Sequence, residues 1–293
     1  MRNRKALTAG LFALAHLLAI PLAAQDIAEN LPPAMNSPEL ALMGTVPIYW
    51  GEADGFEELI HGSGQSHWAR AQLERHFQLR PLDFLSAEAL ANHSWLMLAQ
   101  PRALSAQENV ALDAWVRDGG KLLLFVDPMM TGHSHFAIGD RRRPMDVTLL
   151  TPILRHWGLE LQFDEEQGEQ FQLLEHFDVS LPVSLPGQFV PHDDRFECVV
   201  SGEGILAHCV FGEGEVLALA DAAMLDLYDP MPGADAALAM LTDHLFGPFG
   251  DEAGNHPPES GNRAHSHGKS GDSQENHAQT AHSGEHGHGV GPP

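Results

Sequence analysis

One strand, helix and strand pattern in the middle of the chain constrains the fold more than any other feature. Residues 95–99 and 121–126 are short apolar runs, and the sequence between them has apolar residues at helical spacing. The motif at residues 105–108, Ser-Ala-Gln-Glu, has the spacing of a capping box at a helix start. The Gly-Gly pair at residues 119–120 supplies the positive φ that ends a helix. This order predicts a right-handed crossover between two parallel strands.

Further strands and helices are predicted on both sides of this unit. Because residues 121–126 are apolar almost throughout, we expect helices to cover both faces of the sheet. The sequence therefore predicts a single α/β domain over residues 45–247, with a mostly parallel mixed sheet. The remaining strands are predicted at residues 46–50, 79–85, 195–200, 205–211 and 215–220, and the remaining helices at residues 66–77, 87–91, 147–158 and 234–245.

The N-terminal end has the pattern of a secretory signal peptide over residues 1–24. A short basic stretch is followed by an apolar run and then by small residues. The alternative is an uncleaved anchor, since the apolar run is close to the length that spans a bilayer. We assign residues 25–44 to a linker and expect a periplasmic or otherwise extracytoplasmic protein. Membrane attachment is expected only through an uncleaved signal or through a partner.

The C-terminal residues 248–293 predict a disordered, histidine-rich tail. From Gly250 onwards there is no Leu, Ile, Met, Phe, Trp or Tyr, so the segment has too little apolar surface to fold. Two histidine pairs suit chelation of Zn, Ni or Cu on a flexible chain, and these are His265 with His267 and His286 with His288. A solvated, pH-sensitive tail without a metal fits the same composition.

Charge and cysteine content exclude several classes of protein. The formal net charge of -24 argues against binding to nucleic acid phosphates. Two cysteines are too few for a four-thiolate zinc site. If Glu203 and Gly204 form a turn, Cys198 and Cys209 lie opposite each other across a hairpin. We expect a disulfide there in an oxidising compartment, with two buried thiols as the alternative.

The sequence carries no recognisable nucleophile motif. Neither cysteine is placed on a strand-to-helix turn, and the chain has no G-x-S-x-G, so we expect a protein without catalysis. One cluster fits an open zinc site: Asp127 ends a predicted strand, and His133 and His135 follow in the next loop. Alternatively, Asp127 caps the turn before Pro128 and the histidines are solvated. Asp221 ends another strand, where it either faces Asp127 or caps the next turn.

Several stretches together resemble a known family. Residues 96–101 (LMLAQP), 104–108 (LSAQE) and 112–128 (LDAWVRDGGKLLLFVDP) are similar to the auxiliary component of uncharacterised ABC-type transport systems, a group that includes gliding-motility transporter auxiliary proteins. Residues 149–159 and 214–221 resemble later blocks of the same pattern. The resemblance implies a fold like class I glutamine amidotransferases without their catalysis. It also implies a role beside an ABC transporter permease or another envelope protein.

Three functions follow as hypotheses. The first is a non-catalytic, exported accessory or binding component of an ABC-type transport system. The second is a periplasmic metal-binding or buffering protein that uses the histidine-rich tail. The third is a metal-dependent hydrolase in which Asp127, His133 and His135 hold the metal.

Overall fold

A computed structural model describes residues 37–52, 66–132, 134, 136–168, 171–176, 179–193, 198–225 and 231–248. The predicted signal peptide, the first part of the predicted linker and all but the first residue of the predicted tail lie outside these ranges. Among the helices within them, none has the length and apolar character needed to cross a membrane.

Eleven strands and five α-helices are found in the described residues. In chain order the strands are β1 (Glu39–Gly44), β2 (Gln78–Pro81), β3 (Trp95–Ala99), β4 (Lys121–Phe125), β5 (Leu159–Gln162), β6 (Gln172–His176), β7 (Val179–Val183), β8 (Gln188–Pro191), β9 (Cys198–Ser201), β10 (Leu206–Phe211) and β11 (Gly214–Leu219). The helices are α1 (Trp68–Glu74), α2 (Ala87–Leu90), α3 (Ala106–Arg117), α4 (Thr151–His156) and α5 (Ala234–Phe246).

Seven strands form one central sheet in the order β2-β1-β3-β4-β11-β10-β9. The first five of these run parallel, while β10 pairs antiparallel with both β11 and β9. The predicted α/β class with a mostly parallel mixed sheet is thereby confirmed. Two further antiparallel pairs, β5 with β8 and β6 with β7, stand apart from the central sheet.

The two faces of the sheet are covered by different helices. Alternate residues of β4 point to opposite sides, as the period of a strand requires. Leu123 and Phe125 pack in one core cluster with α1 and α5, and Leu122 and Leu124 pack in the other with α2, α3 and α4. All four leave at most 1% of their surface exposed, so the near-continuous apolar run of β4 has the burial expected of a central strand.

The predicted crossover from β3 through α3 to β4 is present with its capping box. The Ser105 hydroxyl accepts from the Glu108 N–H, and the Glu108 carboxylate accepts from the Ser105 N–H. Burial acts to raise the pKa of Glu108, but hydrogen bonds from Arg102, Ser105 and Leu85 outweigh it and lower that pKa to about 2. At the other end of α3, Gly119 has φ 107°. Both ends of α3 are therefore set by local sequence.

The first strand differs from the prediction. Residues 46–50 form bends and turns, and the strand lies at β1, inside the segment assigned to a linker. Val46 and Ile48 are both buried although they lie in a loop, so the sequence there alternates as a strand would. Pro47 between them has no N–H to donate to a neighbouring strand. The domain consequently begins before residue 45, with β1 paired between β2 and β3.

Two other elements also differ from the prediction. The helix expected from residue 147 begins at Thr151, where Pro152 occupies the first turn. The strands β5 to β8 were not predicted, because β6 and β7 are half-exposed and lack a clean alternation of apolar and polar residues.

The hairpin of β9 and β10 holds both cysteines. Cys198 and Cys209 are directly opposite each other in the antiparallel register. Their Cα atoms are 4.1 Å apart and a disulfide joins their sulfur atoms. The turn between the strands contains Gly202–Gly204.

Gly44 allows β1 and β3 to approach closely, and its replacement should destabilise the fold. A Cβ atom at this position would lie 2.0 Å from the Ala99 carbonyl oxygen, which is backbone and has little room to shift. We expect Gly44→Ala to lower the free energy of unfolding by about 3 kcal/mol, measured by urea denaturation. Gly168→Ala is the control, because a Cβ there meets nothing within 4 Å. Equal stability of the two variants would contradict this account of the β1–β3 contact.

Candidate functional site

Three buried polar side chains lie together where the parallel strands end. Gln100 follows β3, Asp127 comes shortly after β4, and Asp221 comes shortly after β11. All three residues have 0% exposed surface. The carboxyl ends of these neighbouring strands share one edge of the sheet, where α/β proteins commonly place ligands. We call Gln100, Asp127 and Asp221 the carboxyl-edge cluster.

Both carboxylates of this cluster accept hydrogen bonds from backbone N–H groups. In Asp127, Oδ1 accepts from the Met129 N–H at 2.8 Å and Oδ2 from the Ala222 N–H at 3.0 Å. In Asp221, Oδ1 accepts from the Ala223 N–H at 2.8 Å and Oδ2 from the Ser184 N–H at 2.9 Å. Each carboxylate therefore fastens its own loop and a loop from a distant part of the sequence.

Gln100 completes the cluster by bonding backbone groups on both sides of the loop after β4. Its Nε2 donates to the carbonyl oxygens of Asp127 and Met145, both at 3.0 Å, and its Oε1 accepts from the Asp127 N–H at 2.8 Å. Its backbone has φ 46°, a conformation rare for a residue other than glycine. Thr45, at the end of β1, donates to the Gln100 carbonyl and accepts from the Met145 N–H.

Burial raises the pKa of Asp127 to about 6, although the N–H groups of Ala222 and Met129 act in the opposite direction. A pKa near neutrality is common among catalytic acids and bases. A catalytic base must, however, reach the proton that it takes. With no exposed surface and both oxygens bonded to backbone, Asp127 has a structural role in this conformation.

The predicted zinc cluster is described only in part. Asp127 caps the turn after β4 through the Met129 N–H, as the alternative expected. His133 and His135 lie outside the described residues, as do His265, His267, His286 and His288 of the tail. Within the described ranges, no group of three or more His, Cys, Asp or Glu side chains is arranged to hold a metal. The histidine sites remain predictions, which zinc titration of the full chain against a chain lacking residues 250–293 would test.

Asp221 makes two hydrogen bonds to backbone N–H groups, of which the sequence predicted one. It caps the turn into Ala222 through the Ala223 N–H, as one of the two alternatives had it. Its bond to Ser184 ties it to the loop between β7 and β8. Sequence reasoning missed Ser184, Thr45 and Gln100. For Gln100 the sequence offered one signal of a role at the sheet edge: like Asp221, it is a polar residue directly after a predicted apolar strand.

The loop after β4, residues 128–148, presents apolar side chains to solvent; we call it the edge loop. The bonds of Gln100 and of Thr45 to Met145, together with the bond of the Thr148 N–H to the Asp127 carbonyl, anchor this loop to the sheet. Ile138 leaves 86% of its surface exposed. Met129 and Val147 of the same loop are each 41% exposed.

The edge loop contains three successive arginines at residues 141–143, and two of them pair with neighbouring acids. Arg142 pairs with Asp140 at 2.7 Å, and its guanidinium lies 4.0 Å from the centre of the Phe136 ring. Arg143 pairs with Asp146 at 3.1 Å. Arg142 and Arg143 are therefore bonded within the loop instead of forming a free basic patch.

Replacing Asp127 should change how stability depends on pH. The unfolded carboxyl loses its proton near pH 4, whereas the folded one keeps it until about pH 6. The group therefore lowers the free energy of unfolding as pH rises from 4 to 7, by about 3 kcal/mol. We expect Asp127→Asn to lose this component, measured by urea denaturation at several pH values. Asp164→Asn, at an exposed position, is the control. Parallel pH profiles for wild type and Asp127→Asn would refute the assignment.

The chain is similar to several solved structures, but the sequence identity is low in each case. An exo-β-1,4-mannosidase from an Opitutaceae bacterium is 14% identical with a TM-score of 0.39, covering 64% of this chain and 32% of that one. A β-galactosidase from Bacillus circulans is 13% identical with a TM-score of 0.40, covering 72% and 32%. A ThuA-like protein from Bacteroides uniformis is 8% identical with a TM-score of 0.37, covering 74% and 96%. The chain thus spans about a third of the length of the two glycosidases.

Comparison of sequences is more informative about the family. No curated protein matches the chain significantly. Residues 58–174 match the model of a family described as an ABC-type uncharacterized transport system. The matched segment contains the crossover from β3 to β4 and the whole edge loop. The resemblance to the auxiliary component of ABC-type transport systems is therefore confirmed for residues 58–174.

Proposed function

We propose that this protein is an exported, non-catalytic accessory component that binds the permease of an ABC-type transport system. The observation that carries the proposal is the family match over residues 58–174. The matched part of this chain covers only 32% of each of the two glycosidases, so their activities do not bear on the proposal.

A role without catalysis is supported by the way the polar groups at the sheet edge are used. Asp127 and Asp221 are fully buried, and each of their four carboxylate oxygens accepts a backbone N–H. Both cysteines of the chain are joined in a disulfide, which leaves no free thiol as a nucleophile. The two aspartates therefore hold loops in place, and the two cysteines join neighbouring strands.

A docking role is supported by the edge loop. The loop lies within the family match and is fixed to the sheet by Gln100 and Asp127, so its exposed side chains are held in position before a partner arrives. Such preorganisation lowers the entropic cost of binding. Ile138, the most exposed large apolar residue described, is the natural contact point.

Photocrosslinking in intact cells tests the docking role. A benzoylphenylalanine at position 138 should form an adduct with an ABC permease, identified by mass spectrometry. The control places the same residue at Val110, which is 70% exposed on α3 and is not part of the edge loop. We expect at least roughly tenfold more permease adduct from position 138, as for a residue central to an interface. A permease adduct of equal yield from both positions, or from neither, would overturn the docking surface.

Export is tested separately by the state of the purified protein. If residues 1–24 are a signal peptide, the intact mass of the protein from the periplasmic fraction should correspond to a chain that starts at Gln25. Cys198 and Cys209 should react with a thiol reagent only after reduction, because disulfides persist in an oxidising compartment. A full-length chain in the cytoplasmic fraction with two reactive thiols would contradict export.

A further inference from the structure

A second feature lies beside the carboxyl-edge cluster and has no part in the docking role. It is an open cleft of about 270 Å³ between the two small sheets and the turn that precedes β10. Its polar lining consists of Gln162, Gln167, Gln172, Gln188, Asp164 and Glu203. We call it the glutamine cleft. Its volume is close to the lower limit for small-molecule pockets, about 300 Å³.

The walls of the cleft are held by the edge of the central sheet. Gln162 on β5 and Gln188 on β8 are a directly opposed pair in the antiparallel register. The loop that leads into β8 is fixed at two points, by the Ser184 N–H to Asp221 and by the Gly187 N–H to the Ala220 carbonyl at 2.7 Å. The cleft is therefore formed before a ligand arrives.

Most of the hydrogen-bonding groups in the cleft are available. Gln167 donates to the Pro186 carbonyl at 3.0 Å, but the side chains of Gln162, Gln172 and Gln188 make no hydrogen bond within the described residues. Each carboxamide offers two donors and an acceptor. An apolar surface adjoins them, because Phe163 and Leu174 also line the cleft.

The turn at one side of the cleft has an unusual backbone. Glu203 has φ 57°, a left-handed conformation that residues other than glycine rarely adopt. Next to it, Gly204 approaches Gln188 so closely that an added Cβ would lie 3.2 Å from the Gln188 Cβ. This tight packing places the carboxylate of Glu203 in the lining of the cleft.

The chemistry of the lining selects among ligand classes. Asp164 and Glu203 are acidic, and none of the described residues that line the cleft is Lys or Arg, so an anion would meet negative charge there. A cationic amine would pair with the carboxylates and with the carboxamide oxygens, but it has no acceptor for the N–H donors of the carboxamides. Hydroxyl groups donate and accept, and therefore pair with carboxamides and carboxylates alike. The apolar side chains provide a surface for the C–H face of a sugar ring.

We propose that the glutamine cleft binds a neutral saccharide, with the four glutamine carboxamides and the carboxylates of Asp164 and Glu203 bonding its hydroxyl groups. The ligand would be a short segment of one or two rings, given the cleft volume of about 270 Å³. Because the cleft is open, a longer glycan chain can extend beyond it on either side. This binding does not depend on the edge loop or on any transporter.

Titration by ¹H–¹⁵N NMR tests the proposal with defined probes on the full chain. Cellotriose is the neutral probe, and trigalacturonate is the anionic one. We expect saturable shifts of the side-chain NH₂ signals of Gln162, Gln172 and Gln188 with cellotriose, and none with trigalacturonate. Equal binding of both probes, shifts confined to other residues, or no saturable shift with cellotriose would each overturn it.

Variants separate binding in the cleft from effects on the fold. Gln162→Leu combined with Gln188→Leu removes two exposed carboxamides that make no hydrogen bond in the part of the chain that the structure describes, so the fold should persist. We expect the dissociation constant for cellotriose to rise at least about tenfold, as for loss of two hydrogen bonds. Gln107→Leu, an exposed glutamine on α3, is the matched control and should bind as wild type does. An unchanged affinity in the double variant would refute the assignment.

Discussion

The buried carboxylates of Asp127 and Asp221 are the constraint on which the rest of the structure depends. A carboxylate removed from water is costly unless hydrogen bonds replace its hydration, and here backbone N–H groups supply all four. Two of these groups come from distant segments, at Ser184 and Ala222. The loops after β4, β7 and β11 are thereby fixed to one edge of the sheet. The stability of that edge and the positions of its loops are consequences of the same four bonds.

Two buried groups, Asp127 and His67, change the free energy of unfolding in opposite directions as pH falls. Burial raises the pKa of Asp127 to about 6, so its protonation as pH falls below 6 favours the folded state. His67 has the opposite effect: burial, partly offset by its bond to the Leu225 carbonyl, lowers its pKa to about 4. The unfolded histidine takes up a proton near pH 6.5, so the stability that neutral His67 contributes above that pH is lost as pH falls through 4. Between pH 4 and 6 the two groups partly cancel.

The sequence predicted correctly those features that depend on neighbouring residues or on the order of the strands and helices. The capping box of α3 and the glycine after it are signals within a few residues, and the crossover follows from their order. The positions of Asp127 and Asp221 at one sheet edge follow from the parallel direction of their strands. The bonds of Gln100 to Met145 and of Asp221 to Ser184 span 45 and 37 residues, and no local pattern indicates them. β1 was missed for a related reason, since its six residues are recognised as a strand only through pairing with β2 and β3.

One edge of the sheet thus supports two surfaces of different character. The edge loop is held through Gln100 and Asp127, and the wall of the glutamine cleft is held through Asp221. Asp127 also bonds Ala222, the residue directly after Asp221, so the two supports are adjacent in one hydrogen-bonded network. Such a network is fully satisfied in a single arrangement, and breaking one bond leaves a buried polar group unpaired. The distance between the apolar contact surface and the polar cleft is therefore fixed by the fold. If the cleft binds a saccharide and the edge loop binds a partner, as proposed above, the fold would hold the two at a constant distance from each other.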